Sequence, residues 1–169
     1  MKKSLMGVAV LLSACMAGCA GAGSKVLQDF GIKDRPEGYE SGADRVMARL
    51  DDVGKSELNR LNLSQRRGEL RYDDADELHG KYYRVAKKYE RFYPVDANPT
   101  GRTSATGDRG FVGYVEYSYS YFEGPRKNTR AEAAAQIADI PTGDRGRETY
   151  RYRFNTAGIW NGAKGELVR

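Results

Sequence analysis

The order of patterns along the chain predicts an α+β domain, with N-terminal helices packed on one face of a C-terminal curved antiparallel sheet. Two observations carry most of this. Between positions 41 and 93, apolar residues recur at intervals of three and four, as along one side of a helix. From Phe111 onward the period drops to two, in FVGYVEYSYSYF and again over Glu148–Phe154, as on the two faces of a strand. A stretch at 94–110 rich in Pro, Gly, Thr and Asp separates the two regimes and reads as a loop.

Taken in order, residues 25–41 are irregular, with a turn at Pro36-Glu37-Gly38. Residues 41–53 read as a helix, because Val46, Leu50 and Val53 fall at i, i+4 and i+7, and Gly54 is expected to stop it. Ser56 then caps a second short helix through Leu63. Asp73–Tyr93 carries the strongest helical pattern: Leu78, Tyr82, Val85, Tyr89 and Phe92 form one stripe, Lys81, Arg84, Lys87, Lys88 and Arg91 lie mostly off it, and Pro94 ends it. Phe111, Val115, Tyr117, Tyr119 and Tyr121 share one face of the first strand, opposite Glu116, Ser118 and Ser120. In the second strand, Tyr150, Tyr152 and Phe154 oppose Thr149, Arg151 and Arg153. Thr129-Arg130-Ala131-Glu132 has capping-box spacing, so 129–138 reads as a short helix, with a strand as the alternative because Ala also alternates with polar residues there. After the turn Asn155–Gly158, Ile159-Trp160 and Glu166–Val168 suggest a final bent strand or hairpin. The layout is similar to cystatin-like and NTF2-like folds, a likeness of architecture without a shared motif, and it implies nothing about activity.

The first residues address a different question. Lys2 and Lys3 precede an uncharged, mostly apolar stretch from Ser4 to Leu12, and small residues lead into Cys15, the order of an export signal. The apolar core is too short to span a bilayer, which takes about 20 residues. Leu12-Ser13-Ala14-Cys15 resembles the lipobox of bacterial lipoproteins, in which the cysteine thiol takes a diacylglyceryl group, a peptidase cuts just before it, and the new amino terminus is acylated, often by palmitate. Met16-Ala17-Gly18-Cys19 is the second candidate. The favoured division is therefore a signal peptide at 1–14, or alternatively 1–18, a tether and irregular segment at 15–40, and a single α+β domain at 41–169. The resemblance implies a lipid anchor on Cys15, with Cys19 as the alternative. Two or three acyl chains would hold the protein almost permanently. The residue after the anchor would be Met16 or Ala20, not Asp, which by the family's sorting pattern implies the periplasmic face of the outer membrane.

Composition narrows the function. The chain has 169 residues and a formal charge of +5, two units of which belong to Lys2 and Lys3. A mature charge of about +3 suits anionic lipid or cell-wall polymer, and an exported chain with no basic run longer than two residues is not expected to bind nucleic acid. Cys15 and Cys19 are the only cysteines, and Cys-x3-Cys lacks the pairing of a zinc ribbon. Asp73, Asp74, Asp76, Glu77 and the single histidine, His79, lack calcium-loop spacing and read as helix-terminal carboxylates. No nucleophile motif is present. The expectation is therefore no catalytic residues, no metal and no cofactor. TGDRG occurs at 106–110 and 142–146, and reads as turn chemistry used twice, with matched ligand loops as the alternative.

The tyrosines are the remaining signal. Among twelve, Tyr117, Tyr119, Tyr121, Tyr150 and Tyr152 share strand parity, which suits either a face packed beneath helices or an exposed recognition platform. On the second reading, Tyr117, Tyr119, Tyr121, Arg151, Arg153 and Trp160 are the candidate binding surface. Two functions follow as expectations. One is a membrane-anchored, non-catalytic binding or scaffolding module for an envelope protein or cell-wall polymer. The other is a small-ligand or hydrolytic protein with a pocket between sheet and helix, drawing on groups such as Glu116, His79 or Arg151.

Overall fold

A computed structural model describes residues 25–168, apart from 26, 31, 35, 75–80 and 101–108. A long helix, α1 (Gly42–Gln65), precedes the strands β1 (Glu69–Tyr72), β2 (Tyr82–Pro99) and β3 (Phe111–Glu123). A single-turn helix, α2 (Arg130–Ala134), then leads to β4 (Ile140–Phe154) and β5 (Glu166–Leu167). The strands form one antiparallel sheet in the order β1-β2-β3-β4-β5. The α+β class is as expected, with α1 packed on one face across β2 and β3.

α1 starts where its sequence allows. Ser41 is the N-cap: its hydroxyl accepts from the Asp44 amide at 3.1 Å, and the Asp44 carboxylate accepts from the Ser41 amide at 3.0 Å, a reciprocal capping box. Asp29 adds a second acceptor for the exposed amides of the first turn, taking the Gly42 N–H at 2.5 Å and pairing with Arg45 at 3.0 Å. The helix runs through Gly54 instead of stopping there, so the expected pair of helices is one of 24 residues. Gly54 serves a close approach: a Cβ at this position would lie 2.3 Å from Cδ2 of Phe92. Its role is to let the β2 ring sit against the helix backbone, and no turn is needed.

The larger correction concerns 73–93. Residues 82–99 form β2, the longest strand, and the expected helix is absent from 81–93; the positions 75–80, including Leu78 and His79, lie outside the described residues. The spacing misled because β2 carries a bulge. Val85, Lys87 and Tyr89 follow the strand period of two on the helix side; the register then slips between Tyr89 and Arg91, which puts Phe92 on that side after three residues rather than two. Steps of four and three, a helical signature, are here two strand periods followed by a bulge.

Thr129 caps α2 with the expected box, its hydroxyl accepting from the Glu132 amide at 3.2 Å, and 130–134 is helix, not strand. The second TGDRG copy, Thr142–Gly146, is no inter-strand loop. It lies inside β4, where the register slips against β3, with Gly143 at φ +87 and Thr142 Oγ1 accepting from the Asp144 amide at 3.1 Å. Turn chemistry thus makes a bulge. Of the first copy, 106–108 lie outside the described residues.

The core fills the space between α1 and the sheet. Val46, Leu50 and Val53 meet Tyr89, Phe111, Val115, Tyr117, Tyr152 and Phe154. Past β4, the chain returns along α1, where Arg49 donates to the Gly158 carbonyl and Arg60 to the Gly162 carbonyl at 3.2 Å.

Candidate binding surface

The sheet has two chemically different faces, and strand alternation assigns each side chain to one of them. On the helix side, β3 presents Phe111, Val115, Tyr117, Tyr119 and Tyr121, with Tyr150, Tyr152 and Phe154 from β4. Tyr117 and Tyr152 are fully buried, and their hydroxyls satisfy each other at 2.9 Å. Beyond the core, this face turns polar around Glu148. Its carboxylate accepts from Lys87 Nζ, from the Tyr89 hydroxyl at 2.7 Å and from the Tyr150 hydroxyl at 3.0 Å. Lys87 also lies over the Tyr119 ring, 4.6 Å from its centroid.

This cluster is closed, and its titration directions oppose acid–base work. Burial alone would raise the Glu148 pKa, but the hydrogen bonds from Lys87, Tyr89 and Tyr150 outweigh it and hold the carboxyl below its ordinary value. Burial would lower that of Lys87, but the Glu148 hydrogen bond and charge reverse the sign. Burial pushes the Tyr89 phenol strongly upward. At neutral pH the group is a carboxylate with its acceptors taken, an ammonium and neutral phenols. It locks the sheet and presents no poised proton donor or base.

The opposite face is open. No described element lies over it except α2 at one corner, where the Arg84 guanidinium reaches the Ala134 carbonyl. β4 contributes Arg145, Arg147, Thr149, Arg151 and Arg153 to this face, and β3 contributes Tyr114, Glu116, Ser118 and Ser120. From β2 come Lys88, Arg91, Tyr93 and Asp96. Some of these charges hold each other across strands: Arg147 meets Glu116 at 3.1 Å, Glu166 takes both Arg151 and Arg153, and Ser120 donates to Glu90 at 2.9 Å. The Arg151 hydrogen bond and charge hold the Glu166 carboxyl below its ordinary value. Such cross-strand pairs add little stability at an exposed surface. They do hold long side chains in one arrangement.

The six residues grouped by the exposed-platform reading do not share a surface; the tyrosines lie on a face packed beneath a helix, the other reading that their parity allowed. Tyr117 is interior and cannot be part of one, because parity aims it at α1. Tyr119 and Tyr121 are half-buried on the helix side. Trp160 packs edge-on against Tyr152 with centroids 6.2 Å apart, and its indole N–H donates to the Ala163 carbonyl at 3.2 Å. Arg151 and Arg153 lie on the open face. Of the other candidates, Glu116 and Arg151 are on the open face, paired to Arg147 and Glu166, and not in a pocket with each other. Cys15, Cys19, Asp76, Glu77 and His79 lie outside the described residues. The sequence pointed to Arg145 only through the ligand-loop alternative at 142–146, and it did not single out Arg147 or Arg91 as binding residues. The signal for Arg145 and Arg147 was available: the arginine alternation Thr149-x-Arg151-x-Arg153 extends back through Arg147 and Arg145 with unchanged parity.

Among the described residues, no helix is long and apolar enough to cross a membrane, and no group of His, Cys, Asp and Glu is placed to hold a metal. No family model, curated protein or solved structure matches this chain.

Proposed function

We propose that the chain is a lipid-anchored protein of the bacterial cell envelope, held by Cys15 or Cys19 at the periplasmic side of the outer membrane. Its domain works by binding or scaffolding and not by catalysis. The recognition surface is the open sheet face, and the partner is an envelope protein or a cell-wall polymer. One observation carries the binding role: a five-stranded sheet covered by α1 on one side leaves the other side in contact with solvent, with ordered rows of arginine, tyrosine and glutamate. Arginine and tyrosine are the side chains most used at recognition surfaces, because they offer a large rigid area with directional donors. The filled interior and the fully committed Glu148 cluster argue in the same direction.

A second reading has its own support. A groove of about 720 Å³ runs between the last turns of α1 and β2, bordered by Asn62, Leu63, Lys87, Phe122 and Asp139. Its size is that of a small-ligand site. It lacks a converging acid and base, so it favours binding over hydrolysis.

The anchor is tested by intact mass of the chain expressed in a bacterial host. The wild type is expected to carry a lipid-sized increment that Cys15→Ser abolishes and Cys19→Ser leaves in place. Loss in Cys19→Ser alone would move the anchor to Cys19. If the increment survives both substitutions, or is absent from the wild type, the lipoprotein reading is wrong.

A further inference from the structure

Near its middle, the open face has a cleft of about 420 Å³, bordered by Glu90, Arg91, Tyr93, Ser118, Arg145 and Arg147. Three strands line it: β2 gives Arg91 and Tyr93, β3 gives Ser118, and β4 gives Arg145 and Arg147. The arginines are not equivalent. Arg147 is tied to Glu116, and further along β4 Arg151 and Arg153 share Glu166. Arg91 and Arg145 are exposed, and among the described residues neither meets a carboxylate. Both stand beside backbone irregularities. Arg91 follows the β2 bulge, and Arg145 follows the Thr142–Asp144 bulge, whose Gly143 and Thr142–Asp144 hydrogen bond fix the local path. A bulge re-aims the side chain next to it and is a recurrent device at binding sites.

We infer that this cleft is a binding site for a phosphate-bearing ligand, with Arg91 and Arg145 as the primary contacts and Arg147 as the third. The inference deepens the open-face reading and does not depend on the lipid anchor. Guanidinium forks match two phosphate oxygens at once, and two uncompensated forks at one cleft match a phosphodiester better than an isolated carboxylate. Tyr93, 43% exposed, gives the cleft a flat apolar wall suited to a sugar or glycerol carbon face. Ser118 adds a hydroxyl, and Glu90 can accept from a ligand hydroxyl, a group that a bare inorganic anion lacks. The volume lies within the range of pockets that enclose small organic ligands. Two sources share this chemistry: a phosphodiester-linked polymer of the envelope and the headgroup of an anionic phospholipid.

The test uses the full-length chain with two probes, soluble poly(glycerol phosphate) and phosphatidylglycerol vesicles compared with phosphatidylcholine vesicles, each at low and physiological salt. Binding to at least one phosphate probe is expected, and it weakens as salt rises. Arg91→Ala/Arg145→Ala is expected to lower that affinity at least tenfold, with an unchanged melting temperature, since neither side chain supports the fold. The charge-matched control Lys55→Ala/Arg67→Ala, on exposed positions outside the cleft, should stay within twofold. Binding to the polymer identifies the polymer as the source, and binding only to anionic vesicles identifies the headgroup; each supports the site. The inference is overturned if neither probe binds at low salt, or if the control loses as much affinity as the cleft variant. If the open face cross-links to a partner in cells while phosphate binding fails, the face is a protein-recognition surface. The phosphate inference then falls alone.

Discussion

Glu148→Ala is expected to destabilise the fold by about 2–3 kcal/mol, lowering the melting temperature by roughly 5–10 °C for a domain of this size. The carboxylate is nearly buried, its side chain 12% exposed, and it is the shared acceptor for an ammonium and two phenols. Its removal leaves Lys87 without a counter-ion and the Tyr89 and Tyr150 hydroxyls without their strongest acceptor. Lys87 is 26% exposed and can turn partly to water, which keeps the loss below that of a fully interior pair. The same pair makes stability depend on pH in a stated direction. The folded-state pKa of Glu148 lies below its ordinary 4.5, so its contribution is present above that pH and disappears as pH falls through the lower folded value. Lys87 titrates above its ordinary 10.5, so its contribution is complete below that pH and is lost as pH rises through the higher folded value. Denaturant melts of wild type and Glu148→Gln should therefore differ across neutral pH and converge at both extremes. A Glu148→Ala variant within 0.5 kcal/mol of wild type would mean that the cluster does not hold the sheet as described.

The second large effect lies at the other end of the core. Phe111 is buried against the start of α1 and stacks on Phe30 with centroids 5.5 Å apart. Gly42 makes room for it: a Cβ there would fall 2.0 Å from Cζ of Phe111. Phe111→Ala is expected to cost about 3–5 kcal/mol through the cavity it leaves. Gly42→Ala should cost about 1–3 kcal/mol by forcing the ring aside, despite the better helix propensity of alanine. In the Phe111→Ala background the added methyl meets an empty space, so Gly42→Ala should become neutral or mildly stabilising. A double-mutant cycle with strictly additive losses would rule out the contact.

These two sites show how unevenly the sequence reports its fold. α1 was legible around Val46, Leu50 and Val53 because a single amphipathic face decides a helix. β3 and the second half of β4, Glu148–Phe154, were legible because aromatic residues alternate there with period two; the first half of β4 was not, since its TGDRG reads locally as a turn. β2 was not, since a bulge at Glu90 converts a strand period into helix-like steps, and bulges are set by pairing with β3, which a local window does not contain. Gly54 misled for the same reason: its meaning is the Phe92 ring opposite it. The open face was half-legible. Arg151 and Arg153 stood out, and for Tyr117, Tyr119 and Tyr121 strand parity left two readings, of which the face packed beneath a helix is the one found. The edge of β2 held a device invisible in sequence: the Asn62 side chain bonds both the amide and the carbonyl of Tyr89, each at 2.9 Å, standing in for a missing strand.

On the proposed function, the open sheet face, and not the helix side, meets the partner. The most direct test is site-specific photo-cross-linking in intact cells, with the photoreactive residue placed either at Ser118 on the open face or at Lys55 on the exposed side of α1. A discrete adduct is expected from Ser118 and none from Lys55. An adduct from Lys55 alone would contradict the proposal and move recognition to the helix.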